Sequence, residues 1–473
     1  MKSLFKSDKG SMAVYVTATI LCFIIILTGI FFTTASIRKN QLRTLPKIKE
    51  AYEQDLDNIQ EVYEEQENIR SLSGGEFNEL KGVNTPNLAN GALTPIVWDE
   101  TANNGQGDWV ATSSDDPNWY NYTTTDKQWA NARTSDGSMW VWIPRFAYQI
   151  SSNYHNGGDG VSGTINIKFM KGTTNEAADG TTTWDNTSGE GNWNVHPAFN
   201  YNGTKAGIWV AKFEASHTGC TTDINTGQTD TDNTSLTLQI KPGVTSWRNI
   251  TIGNMFTVCQ NYRSDLNSHL MKNSEWGAVA YLAQSSYGKN SEIWINPNSN
   301  YITGQAGTSA SVGETTTTYS YSDTTYGVNA STTGTIYGIY DMSGGAYEYV
   351  AAYLDNGNSS LNTYGSAIES AINYMKDIYA AGNEDTRTEN YNANFNIYGD
   401  AIYETSSGTY DAAGTSNTQS WYTDYSYFTD LAYPFFLRGG NYGNGMNAGV
   451  FHFNYHDGNS YDYIGFRPVL IAP

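Results

Sequence analysis

From Met12 to Ser36 the chain runs MAVYVTATILCFIIILTGIFFTTAS without a formal charge, and about 20 apolar residues suffice to carry a helix across a bilayer. The pattern predicts that residues 1–36 form a basic leader and a transmembrane helix. Beyond Pro46 the period changes: Ile48, Tyr52, Leu56, Ile59, Val62, Tyr63 and Ile69 recur three or four residues apart, opposite a face rich in Glu and Gln. That spacing lines one side of a helix, so residues 37–75 read as an amphipathic stalk that ends at Ser73, Gly74 and Gly75. Its stripe suits self-association or packing on the chain's own globular part.

The pattern shortens after the stalk. Trp98, Trp109, Trp119 and Trp129 alternate with Asn, Asp, Gly and Pro, which predicts short hairpins in a small aromatic-rich β module over 76–135. MWVWIPRFAYQI from Met139, HPAF from His196 and GIWVAKFEAS from Gly207 are apolar runs bounded by turn formers; they read as central strands. In HLMKNSEWGAVAYLAQSSYG, from His269, Leu270, Trp276, Val279, Ala280 and Leu282 fall near helical spacing, with Asn273 or Ser274 placed to cap the helix. GIYDMSGGAYEYVAAY from Gly338 and FFLRGG from Phe435 lead into the end of the chain.

Composition supports a packed core. Of 473 residues, 39% are hydrophobic and 14% aromatic, and 35 Tyr, 13 Trp and 46 Gly favour turn-rich β structure over long helices. The chain carries 26 Lys and Arg against 47 Asp and Glu. Eight of those cations, Lys2, Lys6, Lys9, Arg38, Lys39, Arg43, Lys47 and Lys49, lie in the first fifty residues, so the remainder is strongly acidic. Acidity of that degree repels phosphate backbones and argues against a nucleic-acid partner. Basic residues flank the apolar run on both sides, so they do not set its orientation. The acidic, Tyr- and Thr-rich remainder places the C-terminal domain outside the cell, on a single-pass membrane anchor.

The segment Arg438 to Arg467, RGGNYGNGMNAGVFHFNYHDGNSYDYIGFR, encloses Tyr, Asn, His, Asp, Ser and Gly within an apolar and glycine frame. Tyr gives a large contact area with few rotatable bonds, while Asn, Ser and Gly give adaptable hydrogen bonding, the composition of antibody contact loops. The candidate ligand-binding residues are Tyr442, Asn444, Asn447, His452, Asn454, His456, Asn459, Tyr461, Asp462 and Tyr463, with Val450, Phe451, Ile464 and Phe466 turned inward. The partner they imply is a surface ligand, protein or glycan. Cys220 and Cys259 read either as a structural disulfide, in an exported domain, or as two buried thiols.

The order WVWIPRF, GIWVAKFEAS, MKNSEWGAVAYL, GIYDMSGGAYEYV, RGG and IGFRPVL resembles the formylglycine-generating-enzyme (sulfatase-modifying factor) superfamily over roughly Met139 to Pro473. The resemblance implies an α+β, C-type-lectin-like domain with irregular antiparallel sheets over 136–473, preceded by the transmembrane helix and stalk, with 438–467 as its binding segment. Gly345, Tyr347 and Tyr349 stand where that family usually has Asn, Trp and Trp. Its oxidase branch uses two cysteines between the RGG and GFR motifs, and this chain has none there, so no catalytic residue and no cofactor are expected. A metal-dependent oxidoreductase is the remote alternative. An iron-binding branch uses histidines; His452 and His456 lack an evident third ligand. Acidic, Asn-rich loops are compatible with structural calcium, although no EF-hand spacing occurs. The branch closest in pattern is that of diversity-generating-retroelement variable proteins, which use the RGG-to-GFR segment as a display surface. The leader with Gly10 and the apolar helix resembles type IV pilins and pseudopilins, with Tyr15 where those carry Glu; a pilin-like structural or filament-tip subunit is the alternative function.

Overall fold

The structure is a computed structural model, and it describes residues 21–22, 75–221, 232–408 and 419–473. The chain divides into Met1–Arg70 and Ser71–Pro473. Apart from a helical Leu21–Cys22, the first of these lies outside the described residues, and with it the sequence expectations for the leader, membrane segment and stalk.

Within Ser71–Pro473 the apolar runs become strands β1 (Thr94–Asp99), β2 (Asp108–Ala111), β3 (Asn131–Arg133), β4 (Met139–Pro144), β5 (Gly207–Ala211) and β6 (His269–Leu270). A second group comprises β7 (Tyr347–Asp355), β8 (Asp377–Ala380), β9 (Phe435–Gly439), β10 (Gly449–His456) and β11 (Ile464–Phe466), after which β12 (Pro468–Leu470) returns to the first. The larger sheet has seven strands in the order β6-β12-β5-β4-β3-β1-β2. Every residue of β4 and of β5 is buried, which explains why MWVWIP and GIWVA are continuously apolar rather than alternating. Their tryptophans meet across the register at Trp209 and Trp142, with indole centroids 5.3 Å apart. Each aromatic pair of this kind adds about 0.5–1.5 kcal/mol beyond area burial.

Two expectations are corrected. The passage 76–135 is no freestanding module: β1, β2 and β3 extend the sheet of β4 and β5, and Trp109, Trp119 and Trp129 are buried in the common core. A buried lysine ties that edge in. Lys212 donates from Nζ to Asn131 Oδ1 at 2.9 Å and to the Ile336 and Gly338 carbonyls at 2.8 Å, over the Trp109 ring at 4.6 Å. The fold-class expectation, an α+β lectin-like domain behind a membrane helix, gives way to a mixed α/β unit of mostly strands and few helices. No helix among the described residues is long and apolar enough to cross a membrane. The physical reason is length and polarity: α1 (Ile252–Tyr262) and α2 (Asn273–Gln284) have 11 and 12 residues. The longer spans about 18 Å against a hydrocarbon thickness near 30 Å, and it carries Asn273, Glu275 and Gln284.

Helix α2 is buried along its whole length, and its first-turn amides are satisfied differently from the cap expected. Glu275 Oε2 accepts from Lys272 N at 2.9 Å and Asp377 Oδ2, on β8, accepts from Ser274 N at 2.7 Å. Carboxylates at a helix N-terminus use the orphan amides and the dipole together. The helix also anchors the second sheet, because Trp276 Nε1 donates to the Val450 carbonyl of β10 at 2.7 Å.

One further buried carboxyl makes stability depend on pH. Glu404 Oε2 accepts from the hydroxyls of Tyr148 and Tyr281, each at 2.8 Å, and from Gly399 N at 2.6 Å. Burial outweighs those bonds and raises its carboxyl to about 7. A carboxyl whose folded value lies above its unfolded value stabilises the fold fully below about 4.3 and loses that contribution as pH rises through the folded value. Urea unfolding of the full chain should therefore show stability falling by about 2–3 kcal/mol between pH 5 and pH 8 from this residue. Glu404→Gln, whose amide oxygen can still accept from both tyrosines, should flatten that slope; an unchanged slope would reject the assignment.

Candidate functional site

The second sheet runs β8-β7-β9-β10, with β11 added parallel to the first half of β7. The frame residues of the closing segment are its internal skeleton. Arg438, on β9, is buried and donates to the backbone carbonyls of Asp400 at 3.1 Å and Ala401 at 3.2 Å; desolvation pushes its guanidinium down to about 10. Arg467 forks onto Glu348 of β7, with Nη2 to Oε1 at 2.6 Å and Nε to Oε2 at 3.1 Å. Val450, Phe451, Ile464 and Phe466 are buried.

Strand β10 places His452, Asn454 and His456 on one side, since strand side chains alternate. Around this strand the aromatic rings form a closed circuit. Tyr455 lies 5.2 Å from Tyr433, which is 6.2 Å from His456. His456 is 4.2 Å from Tyr461, and Tyr461 is 5.3 Å from Tyr463. Tyr463 leads to Tyr347 at 6.2 Å, and Tyr347 to His452 at 5.6 Å. Tyr425 lies 6.1 Å from His452 and 5.7 Å from Tyr427, which closes on Tyr455 at 6.4 Å. All these rings are half-buried except Tyr433, 39% exposed, and His452, which is wholly buried.

Polar contacts hold the circuit in shape. His456 bonds Asp457 Oδ1 through Nδ1 at 2.9 Å and Tyr463 Oη through Nε2 at 3.2 Å, while the Tyr461 hydroxyl donates to Asp457 Oδ2 at 3.3 Å. Burial lowers the His456 imidazole, with Asp457 opposing. Arg387 stacks over Tyr455 at 4.0 Å and pairs with Asp430 at 2.8 Å. Gly458, at φ +90°, makes the turn after His456; a Cβ there would lie 2.6 Å from the Phe435 ring, so the HDGN turn requires glycine.

The ten residues singled out in the sequence are distributed unevenly. His452, His456, Tyr461 and Tyr463 belong to the circuit, and half-buried Asn454 sits between the two histidines along β10. Asn444 precedes and Asn447 ends the short 3₁₀ turn Gly445–Asn447; Asn444 Oδ1 accepts from Asn441 N at 2.7 Å, and the Asn447 carbonyl accepts from Tyr425 N at 3.1 Å. Tyr442 stands to one side, edge-on to Tyr301 at 4.8 Å, and Arg248 covers Tyr301 at 3.8 Å. Asn459 accepts the Tyr349 hydroxyl on its carbonyl at 3.3 Å, and exposed Asp462 offers its carbonyl to Arg248. Tyr347, Tyr425, Tyr427, Tyr433 and Tyr455 were not singled out. The signal for three of them was present, since WYTDYSYFTDLAY from Trp421 repeats the Tyr-rich composition of the closing segment.

A strand advances about 3.3 Å per residue, so His452 and His456 stand roughly 13 Å apart along β10, too far to share an ion. Among the described residues no group of three His, Cys, Asp or Glu is placed to hold a metal. Cys220 and Cys259 are both buried and both free, so the disulfide considered between them is not formed. The sequence matches no protein-family model and no curated protein.

Proposed function

We propose that the chain is a ligand-binding protein whose recognition surface is the tyrosine and histidine face around β10. The observation that carries this reading is the closed circuit of half-buried rings set on a sheet whose inner side chains are fixed by Arg438, Arg467 and Trp276. Rings held this way lose little conformational entropy on contact, which is why Tyr dominates antibody paratopes. The frame's resemblance to the display segment of diversity-generating-retroelement variable proteins supports the same reading. The ligand is a surface component, protein or glycan.

Binding of the full chain to arrays of glycans and of peptides tests it. The wild-type chain should be retained by members of one array, and Tyr425→Ala and Tyr461→Ala should each weaken that retention about 10-fold or more, as truncated aromatic anchors do. Melting temperatures of the variants should stay near wild type, because both side chains are half-exposed. Equal retention of wild type and both variants would refute the assignment of the face.

A further inference from the structure

We infer that His452 provides an acceptor at the floor of this face, and that the ligand meets it with a neutral hydrogen-bond donor, a hydroxyl or an amide N–H. The inference rests on the binding reading above and adds the chemistry of the ligand. It begins with the tautomer. His452 Nδ1 lies 2.7 Å from the Asn447 carbonyl oxygen, which can only accept, so Nδ1 carries the proton. Nε2 then presents a lone pair. That nitrogen is buried and has no hydrogen-bond partner among the described residues, in a side chain that is 0% exposed. A buried acceptor left unmatched is unfavourable, and a donor arriving there recovers the loss.

The surroundings select the donor. Burial, reinforced by the Arg438 charge, holds the imidazole down at about 4, so it is neutral at ordinary pH. The same Arg438 disfavours a ligand ammonium, and an anionic ligand lacking a proton has nothing to donate. Asp424 accepts from Phe451 N at 2.9 Å through Oδ2, and burial raises its carboxyl well above the usual carboxylate range. The half-buried rings of Tyr347 and Tyr425 flank the imidazole at 5.6 and 6.1 Å. Because His452 is 0% exposed, one of these two phenols must turn aside when the ligand enters. Among the circuit's polar groups His456, Tyr461 and Tyr463 are engaged with one another or with Asp457, whereas His452 Nε2 is buried with no partner among the described residues, so a donor that reaches it gains a bond without breaking one.

The test uses the full chain with ¹⁵N-labelled histidine, of which there are six, and reads the imidazole nitrogens by NMR at pH 7. The resonances missing from His452→Phe assign the residue, and its Nδ1 should show the protonated shift. Acetamide and methyl β-glucopyranoside are the donor probes, and N,N-dimethylacetamide is the matched probe without a donor. A saturable shift of Nε2 with a donor probe, absent with dimethylacetamide at equal concentration, is the expected result; which donor succeeds separates an amide from a hydroxyl source. His452→Phe should weaken the same probe about fivefold, the scale of one neutral hydrogen bond, when followed at the tyrosine ring signals. An Nε2 that no donor moves, or that dimethylacetamide moves equally, overturns the inference. Should the Tyr347 and Tyr425 signals respond while Nε2 does not, the binding face survives and only the acceptor role is lost.

Discussion

Arg467→Ala is expected to cost about 3–5 kcal/mol of folding stability, the range for breaking one side of a buried ion pair, out of a total of only about 5–15 kcal/mol. Arg467 is wholly buried. Besides its fork onto Glu348 it donates to the carbonyls of Ala211 at 2.9 Å and Tyr340 at 3.0 Å, so it links β5 to β7 and to the loop before β7. Three carboxyls lie in this region of the core: Glu348, Asp341 and Glu214. Burial raises all three, with Arg467 opposing the rise at Glu348 and Asp341. Removing the guanidinium leaves Glu348 charged, dry and beside Asp341. The variant can escape by protonating Glu348, which raises its folded value further above the unfolded one. Its stability deficit should accordingly be larger at pH 8 than at pH 5. Urea unfolding of the full chain at both pH values measures this. A second variant, Arg467→Met with Glu348→Leu, removes both charges and should recover part of the loss. A deficit below about 1 kcal/mol for Arg467→Ala at pH 8, the size of an exposed pair, would mean that the fork contributes little.

How much of this the sequence disclosed depends on the range of the interaction concerned. MWVWIP and GIWVA are legible as central strands because burial on both faces leaves no polar position to alternate, and NSEWGAVAYLAQ is legible as a helix by its spacing. The inward frame of the closing segment was legible, since Val450, Phe451, Ile464 and Phe466 are buried, while of the ten contact residues singled out Asp462 is exposed, eight are half-buried and His452 is wholly buried. The edge of the large sheet was less legible: the tryptophans of 76–135 look locally like hairpins, and although β3 does pair with β4 as a neighbouring antiparallel strand, the buried contact that also fixes that edge, Lys212 reaching Asn131 and two distant carbonyls, spans 81 to 126 residues. Lysine in a strand reads as an exposed position, so its burial leaves no local trace. The second half of the aromatic circuit escaped for a similar reason. Tyr347, Tyr425 and Tyr433 join His452 and His456 only once β7, one strand beyond β9 from β10, and the 421–433 stretch are brought to the same place by the fold. His452 was read as one of ten equivalent contact residues, whereas it alone of the ten is wholly buried.

Trp276→Ala should be the most damaging single change to the binding face that does not touch it. The indole is 0% exposed, sits on α2, and fixes β10 from behind through Nε1 to the Val450 carbonyl at 2.7 Å. Arg438 packs over the ring at 5.5 Å and itself reaches that carbonyl at 3.5 Å. Truncation to alanine removes the bond and leaves a large cavity, at a cost of about 3–5 kcal/mol. Trp276→Phe separates the two effects, since it keeps an aromatic ring but no N–H, and should cost about 1–3 kcal/mol for the unmatched carbonyl and the smaller void. Both variants release β10 where it carries His452, so retention on the arrays should fall with them although Trp276 is inaccessible to any ligand. The discriminating measurement is Trp276→Phe at a temperature where it remains folded by circular dichroism. Weakened retention there means the face depends on the position of β10; retention equal to wild type means that the rings hold their arrangement without the support of α2.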